Sequence, residues 1–137
     1  MGSCTRLDFL DASAVDVVFA SNLLEHLELS DVLATVREVR RVLKPGGTLL
    51  LLQPNFRFAY REYFDDYTHR TVFTDRSLPD LLSACDFGIM RVESRFLPFS
   101  LRSGLPAYPW LVNAYLRSPW RPWAGQMLVI AQKQAEA

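Results

Sequence analysis

The chain predicts an α/β fold built around one right-handed crossover between parallel strands, and three observations carry that expectation. Val15 to Ala20 is a short run that is apolar on both faces apart from Asp16. Thr48 to Gln53 is a second apolar run, and between the two lies a segment with an apolar stripe at helical spacing. Strand, helix and strand in this order pack back onto one sheet, and ligands of such units gather beyond the carboxyl ends of the strands. Those ends are Ala20-Ser21-Asn22 and Gln53-Pro54-Asn55.

Taken in order, Thr5 to Ala14 is mixed and turn-like and is expected to hang without a partner. Val15 to Ala20 suits a central strand covered on both sides. Ser30 is a good N-cap, with Asp31 in the first turn opposing the helix dipole. Val32, Val36, Val39 and Leu43, widened by Leu33 and Val42, form one face, and Arg37, Glu38, Arg40 and Arg41 form the other. Pro45 is expected to stop this helix, and Gly46-Gly47 to supply positive backbone angles before the strand Thr48 to Gln53.

No period survives from Pro54 to Thr74, where Phe56, Phe58, Tyr60, Tyr63, Phe64, Tyr67 and Phe73 alternate irregularly with charged residues. A long functional loop is predicted there. Pro79 is tolerable only in a first turn, so the next helix starts at Ser77 and runs to about Cys85, with Asp86 entering the left-handed region at its end. Met90, Val92, Ser94 and Phe96 alternate with Arg91, Glu93 and Arg95, the pattern of an outer strand with one buried face. Residues 97–125 hold all three tryptophans, with a short helix Tyr108 to Arg117 that places Pro109 at its first position. Gln126 to Gln132 is a final apolar strand returning between its neighbours, and Lys133 to Ala137 should fray.

At 137 residues and 50% hydrophobic content, residues 1–137 read as a single domain, long enough for one core but short for a complete doubly wound enzyme. Fifteen basic and fifteen acidic residues give no net field to attract nucleic acid. The longest apolar run is far below the roughly 20 residues that cross a bilayer. Met1 to Cys4 lacks the basic and apolar regions of a secretory signal, so cytoplasm is the simplest address. Cys4 and Cys85 are too few for a disulfide framework, and no metal-ligand spacing is visible.

Asp16-Val17-Val18-Phe19, Glu25-His26, Leu43-Lys44-Pro45-Gly46-Gly47, and His69-Arg70 with Phe73-Thr74 follow an order and spacing that resembles the C-terminal portion of class I S-adenosylmethionine-dependent methyltransferases. The resemblance implies a Rossmann-like partial sheet whose strands are equivalent to the fourth, fifth, seventh and sixth of that fold, with flanking helices. It also implies S-adenosyl-L-methionine as cofactor, with Ala20, Ser21, Asn22 and His26 on the cofactor side. Members of the family begin with a strand and a glycine-rich turn, then an acidic residue for the ribose, and this sequence contains neither. Gly46-Gly47 follows a helix and precedes a strand, the reverse of a cofactor loop. This chain alone is therefore expected to bind cofactor weakly or not at all. The strand Val15 to Ala20 becomes an exposed edge, on which two chains are expected to join antiparallel as a homodimer.

Methyl transfer from a sulfonium is an in-line displacement, accelerated by alignment and by a base where the acceptor must lose a proton. His69 with Asp66 is the candidate catalytic pair, because a carboxylate beside a histidine orients the ring. Tyr60, Tyr63 and Arg70 are candidate walls of the acceptor pocket, and Trp110 belongs to a lid-like insertion over a small or lipid-linked acceptor. The structural alternatives are that His69 and Arg70 pin the loop, that Ser21 and Asn22 do ordinary turn chemistry, and that the tryptophans cover the core. The alternative function is a non-catalytic methyltransferase-like module serving dimerisation or partner binding.

Overall fold

The computed structural model describes residues 3–98 and 108–135. Among the described residues, four strands and four helices follow in the order β1 (Val15–Ser21), α1 (Leu29–Val42), β2 (Leu43–Pro54), α2 (Phe56–Ala59), α3 (Ser77–Ala84), β3 (Phe87–Pro98), α4 (Pro109–Arg117) and β4 (Ala124–Lys133). Single 3-10 turns at Leu24–His26 and Tyr63–Asp65 complete the set. The sheet order is β1-β2-β4-β3. β1 and β2 run parallel, with Val18 opposite Leu49 and Ala20 opposite Leu51. β4 lies antiparallel between β2 and β3, as its apolar composition predicts for a strand with neighbours on both sides. These are the fourth, fifth, seventh and sixth strands of the expected sheet.

The core lies on one face of that sheet. Val32, Val36 and Val39 of α1 and Leu78 and Leu82 of α3 bury against Leu49, Leu51, Met127, Val129 and Ala131, all at most 7% exposed. At about 2 kcal/mol for each fully buried large aliphatic side chain, this cluster is the main source of stability.

Several local expectations are corrected. α1 starts at Leu29 rather than after Ser30, because the turn Leu24–His26 ends in extended Leu27 and Glu28, whose carbonyl accepts from the Asp31 and Val32 amides at 2.9 Å. No side chain caps it. The helix ends at Val42, before Pro45, since Leu43 is already extended and pairs with Val15. The strand is thus longer than Thr48 to Gln53, and Lys44 reaches Asp16 of β1 at 2.8 and 2.9 Å. Of the two glycines, only Gly46 has a positive φ, at 75°. Gly47 answers a lack of space, because a Cβ there would stand 2.9 Å from the Lys44 carbonyl oxygen and 3.1 Å from that of Asp16.

The segment before β1 is tied down rather than hanging. Arg41 donates to the carbonyls of Leu10 and Leu7 at 3.0 and 3.1 Å, and Glu38 accepts from the Leu7 amide at 2.9 Å. The charged face of α1 therefore works as a clamp. β1 is not covered on both sides in the described residues, because Val17 and Phe19 are 57% and 63% exposed. Met90 points outward, against its place in the alternation, because a bulge sets Ile89 opposite Ala131 but Arg91 opposite Ile130. Asp86 takes the expected left-handed conformation, with φ of 60°. α3 starts at Ser77, fixed by mutual bonds in which Thr74 Oγ1 accepts from the Ser77 amide and Ser77 Oγ from the Thr74 amide, both at 3.0 Å.

α4 begins with Pro109 in its first turn as predicted, but Trp110, Trp120 and Trp123 are all strongly exposed, so they do not cover the core. Residues 99–107 of the expected lid lie outside the described residues. No described helix is long and apolar enough to cross a membrane.

Candidate functional site

The carboxyl ends of β1 and β2 lie side by side. Asn22 extends the pairing by one bond, its amide donating to Leu52 O at 2.9 Å, then turns the chain away with φ of 49°. The departing chain makes the tight turn Leu24–His26, which swings the Glu25 carboxyl inward, where the residue is 2% exposed. Ser21 and Asn22 remain exposed at the tip, with the small Ala20 behind them against the core. Gln126 of β4 reaches across to Asn22, its Nε2 donating to Oδ1 at 3.2 Å.

The aromatic loop after β2 folds over this turn. The amides of Arg70 and Thr71 donate to Glu25 O at 2.7 and 3.1 Å, and Thr71 Oγ1 donates to Leu27 O at 2.6 Å. The result brings together His26 and His69, with ring centroids 4.9 Å apart. They are the two histidines of the chain.

Each ring is oriented through Nδ1. His69 Nδ1 donates to the Tyr63 carbonyl at 2.6 Å, and His26 Nδ1 is 2.9 Å from Thr68 Oγ1, whose own hydroxyl donates to Asp66 Oδ1 at 2.5 Å. The carboxylate predicted to orient His69 is thus coupled to His26 through Thr68 instead, and the Tyr63 carbonyl positions His69. Asp66 Oδ2 stands 3.9 Å from His69 Nε2. In both rings, an Nδ1 proton places the lone pair of the neutral imidazole on Nε2.

Electrostatics divide the carboxyl groups. Burial pushes the Glu25 carboxyl above the usual carboxylate range, against the pull of its own backbone hydrogen bond and of His26. The Thr68 hydroxyl and amide hold Asp66 below it, with smaller help from His69 and His26. Tyr63 is buried, donates its hydroxyl to Thr71 O at 2.6 Å and packs on His69 at 4.5 Å, and burial pushes its phenol well above the ordinary value.

The remaining predicted residues are scattered. Arg70 points outward and pairs with Glu28 at 3.3 Å, so its main tie to the site is its backbone. Tyr60 is exposed and its hydroxyl accepts from Arg61 Nε at 3.1 Å. Trp110 stacks on Tyr108 on the surface of α4, with centroids 6.5 Å apart.

Sequence reasoning missed Glu25 and Thr68 as site residues. It also missed Gln53, which is fully buried at the end of β2, with neither side-chain amide atom hydrogen-bonded among the described residues. An acidic residue beside a histidine in a turn was the visible signal for Glu25. For Gln53 the signal was a polar residue closing a run of leucines.

Residues 1–51 match the methyltransferase domain family. Two uncharacterized proteins of Mycobacterium tuberculosis, from strains CDC 1551 and H37Rv, are each 39% identical over 62 residues, covering 45% of this chain and 20% of theirs. Among solved structures, a putative methyltransferase from Haloferax volcanii, in complex with the Trm112 methyltransferase activator, superposes with a TM-score of 0.70 at 16% identity. That match covers 98% of this chain and 60% of the other. A methyltransferase of the S-adenosylmethionine-dependent class from Methanosarcina mazei gives 0.69 at 21% identity, covering 98% and 66%. The chain therefore spans about two thirds or less of each of these structures and a fifth of the mycobacterial proteins. With strand order, parallel crossover and antiparallel insertion all in agreement, the chain has the class I methyltransferase fold.

Proposed function

We propose that this chain supplies the acceptor-side half of an S-adenosylmethionine-dependent methyltransferase. The observation that carries the reading is the His26–His69 pair, set beside the adjoining carboxyl ends of β1 and β2, where ligands of such sheets bind. Ser21 and Asn22 are open at that rim and fit a cofactor's approach, with Ala20 small enough to stay out of its way. When bound, the cofactor provides a methyl group on a sulfonium.

The chain's own residues then align and deprotonate the acceptor. His69 Nε2 accepts the proton from an acceptor hydroxyl or amine, while Nδ1 keeps its own proton, donated in a hydrogen bond to the Tyr63 carbonyl. His26, tied through Thr68 to the ionised Asp66, stands beside it with its own Nε2 lone pair, and its side chain is 34% exposed. Gln53 offers two buried polar atoms for holding an acceptor at the end of β2. Its cost as an unsatisfied amide, about 1–3 kcal/mol, is the kind of penalty that a bound polar group removes. The exposed tryptophans around α4 suit an apolar or lipid-linked acceptor.

Calorimetry with S-adenosylmethionine tests this directly. The chain alone is expected to bind weakly or undetectably, and joining a glycine-rich strand-turn-helix half ahead of β1 is expected to raise affinity into the micromolar range. If the joined protein neither binds the cofactor nor transfers a radiolabelled methyl group to any acceptor tried, the reading fails.

A second reading rests on the exposed Val17 and Phe19 of β1, a strand with one free edge in the described sheet. Two chains pairing antiparallel along β1 would complete an extended sheet without any catalysis. Sedimentation decides it: a dimer abolished by Phe19→Lys supports this reading, and a monomer at all concentrations removes it.

A further inference from the structure

We infer that Glu25, His26 and His69 form a binding site for a divalent transition-metal ion. Three observations converge on it. One ligand atom from each residue can be chosen so that all lie within 4.8 Å of one another, and His26 Nε2 is 3.9 Å from Glu25 Oε1. Donors around a four-coordinate ion, at about 2.0–2.1 Å from it, lie roughly 3.3 Å apart, so the three groups close on an ion by side-chain rotation alone.

The second observation is independent of the cluster. Glu25 is buried, with relative exposure of 2%, and its Oε2 has no hydrogen-bond partner among the described residues. A buried carboxylate oxygen normally has donors, and leaving one bare is costly. Among the described residues its basic neighbours are the two imidazoles, with His26 Nε2 at 3.9 Å and His69 in the same cluster. A cation is the group that satisfies it.

The third is the outer support. A metal-bound imidazole ligates through one nitrogen while the other donates to a carbonyl or carboxylate. His69 has the Tyr63 carbonyl on Nδ1, and His26 has Thr68 backed by Asp66. Nδ1 is therefore taken up in both rings and Nε2 is left as the ligating atom, with His26 Nε2 3.9 Å from Glu25 Oε1 and His69 Nε2 3.9 Å from Asp66 Oδ2. Two nitrogens and one carboxylate oxygen form a borderline donor set that favours zinc, cobalt or iron over magnesium or calcium. Three protein ligands leave a position open for water or for an oxygen or nitrogen of a bound molecule. The inference goes beyond methyl transfer, because the ion would occupy the lone pairs that the proposed reaction leaves to a proton.

Cobalt(II) chloride is the probe, added to the 137-residue chain carrying Cys4→Ser and Cys85→Ser to remove thiol ligands. One equivalent is expected to bind with visible ligand-field absorption, and zinc chloride should displace it. Paramagnetic cobalt should shift the ring resonances of both histidines, which are the chain's two and need little assignment. His26→Asn or His69→Asn should each weaken binding by at least about 100-fold, and Thr68→Val, which removes an outer support, by about 10-fold. Circular dichroism confirms that each variant is folded, and Glu25→Gln keeps the shape of the buried side chain. No binding at millimolar cobalt or zinc overturns the inference, and so does binding that survives His26→Asn with His69→Asn. Neither result depends on the cofactor, so the methyl-transfer reading stands or falls separately.

Discussion

Thr68 and His26 share a hydrogen bond of 2.9 Å, and because the Thr68 hydroxyl spends its own proton on Asp66, the proton in the shared bond belongs to His26 Nδ1. The Tyr63 carbonyl, which can only accept, demands the same of His69. Two residues with no common sequence signal are thus locked in one tautomer by different partners.

This tautomer is measurable. Long-range nitrogen–proton spectra of the neutral rings should show both histidines protonated at Nδ1. Thr68→Val should release His26 alone and cost about 1–2 kcal/mol of stability in denaturant unfolding, the worth of a partly buried hydroxyl with two bonds. An Nε2-protonated His69 would contradict the assigned geometry.

Asp75 gives a pH dependence with a definite sign. Burial raises its carboxyl, but hydrogen bonds from Ser94, Arg57 and Asn55 together outweigh that and hold it below the ordinary value. Ser94 Oγ donates at 2.6 Å and Arg57 Nη1 at 3.0 Å to each oxygen, joining β3 to the residues after β2. A group depressed in the folded state adds stability that is complete above its unfolded pKa, about 3.9, and is lost as pH falls through the folded value. Urea unfolding should therefore show Asp75→Asn less stable than wild type at pH 7, with the gap closing toward about pH 3. A gap that does not change with pH would mean the ion pairs contribute nothing.

The two adjacent glycines should respond differently to the same substitution. Gly46→Ala meets only an ordinary contact, with Gln132 Nε2 at 3.8 Å, but keeps a φ of 75°, which costs about 1 kcal/mol. Gly47→Ala drives a methyl group onto backbone oxygens of Lys44 and Asp16, so it should cost more, about 2–3 kcal/mol. Equal losses in guanidinium unfolding would show that the β1–β2 contact yields more easily than these distances imply.

Asp86 separates backbone strain from sequence preference. Its φ of 60° is tolerable for Asp and comfortable for Gly, so Asp86→Gly should hold or raise the melting temperature. Asp86→Val should lower stability by about 1–2 kcal/mol, since a β-branched residue fits that region poorly.

The fold was readable because burial and periodicity act locally. The leucines of β2, the valines of α1 and the alternation in β3 each named their element before any partner was known. Boundaries were less readable, since Glu28 and Leu43 end the helix through contacts made by the preceding turn and by Val15. The site was legible only in part. His69 and Asp66 stood out by adjacency, but the true orienting groups were a main-chain carbonyl and Thr68, neither of which has a side-chain signature. The Glu25–His26–His69 cluster was invisible to spacing rules, because its members come from two segments that meet only when the aromatic loop folds back.

Among the described strands, β4 comes last in chain order and lies inside the sheet. During synthesis, β2 and β3 must both wait with unsatisfied sides until residue 133 has left the ribosome, a window in which a nascent chain is most exposed to mispairing and most in need of a chaperone. Closure of this four-stranded sheet is thus a late event, the slotting of one strand into a gap held open for it.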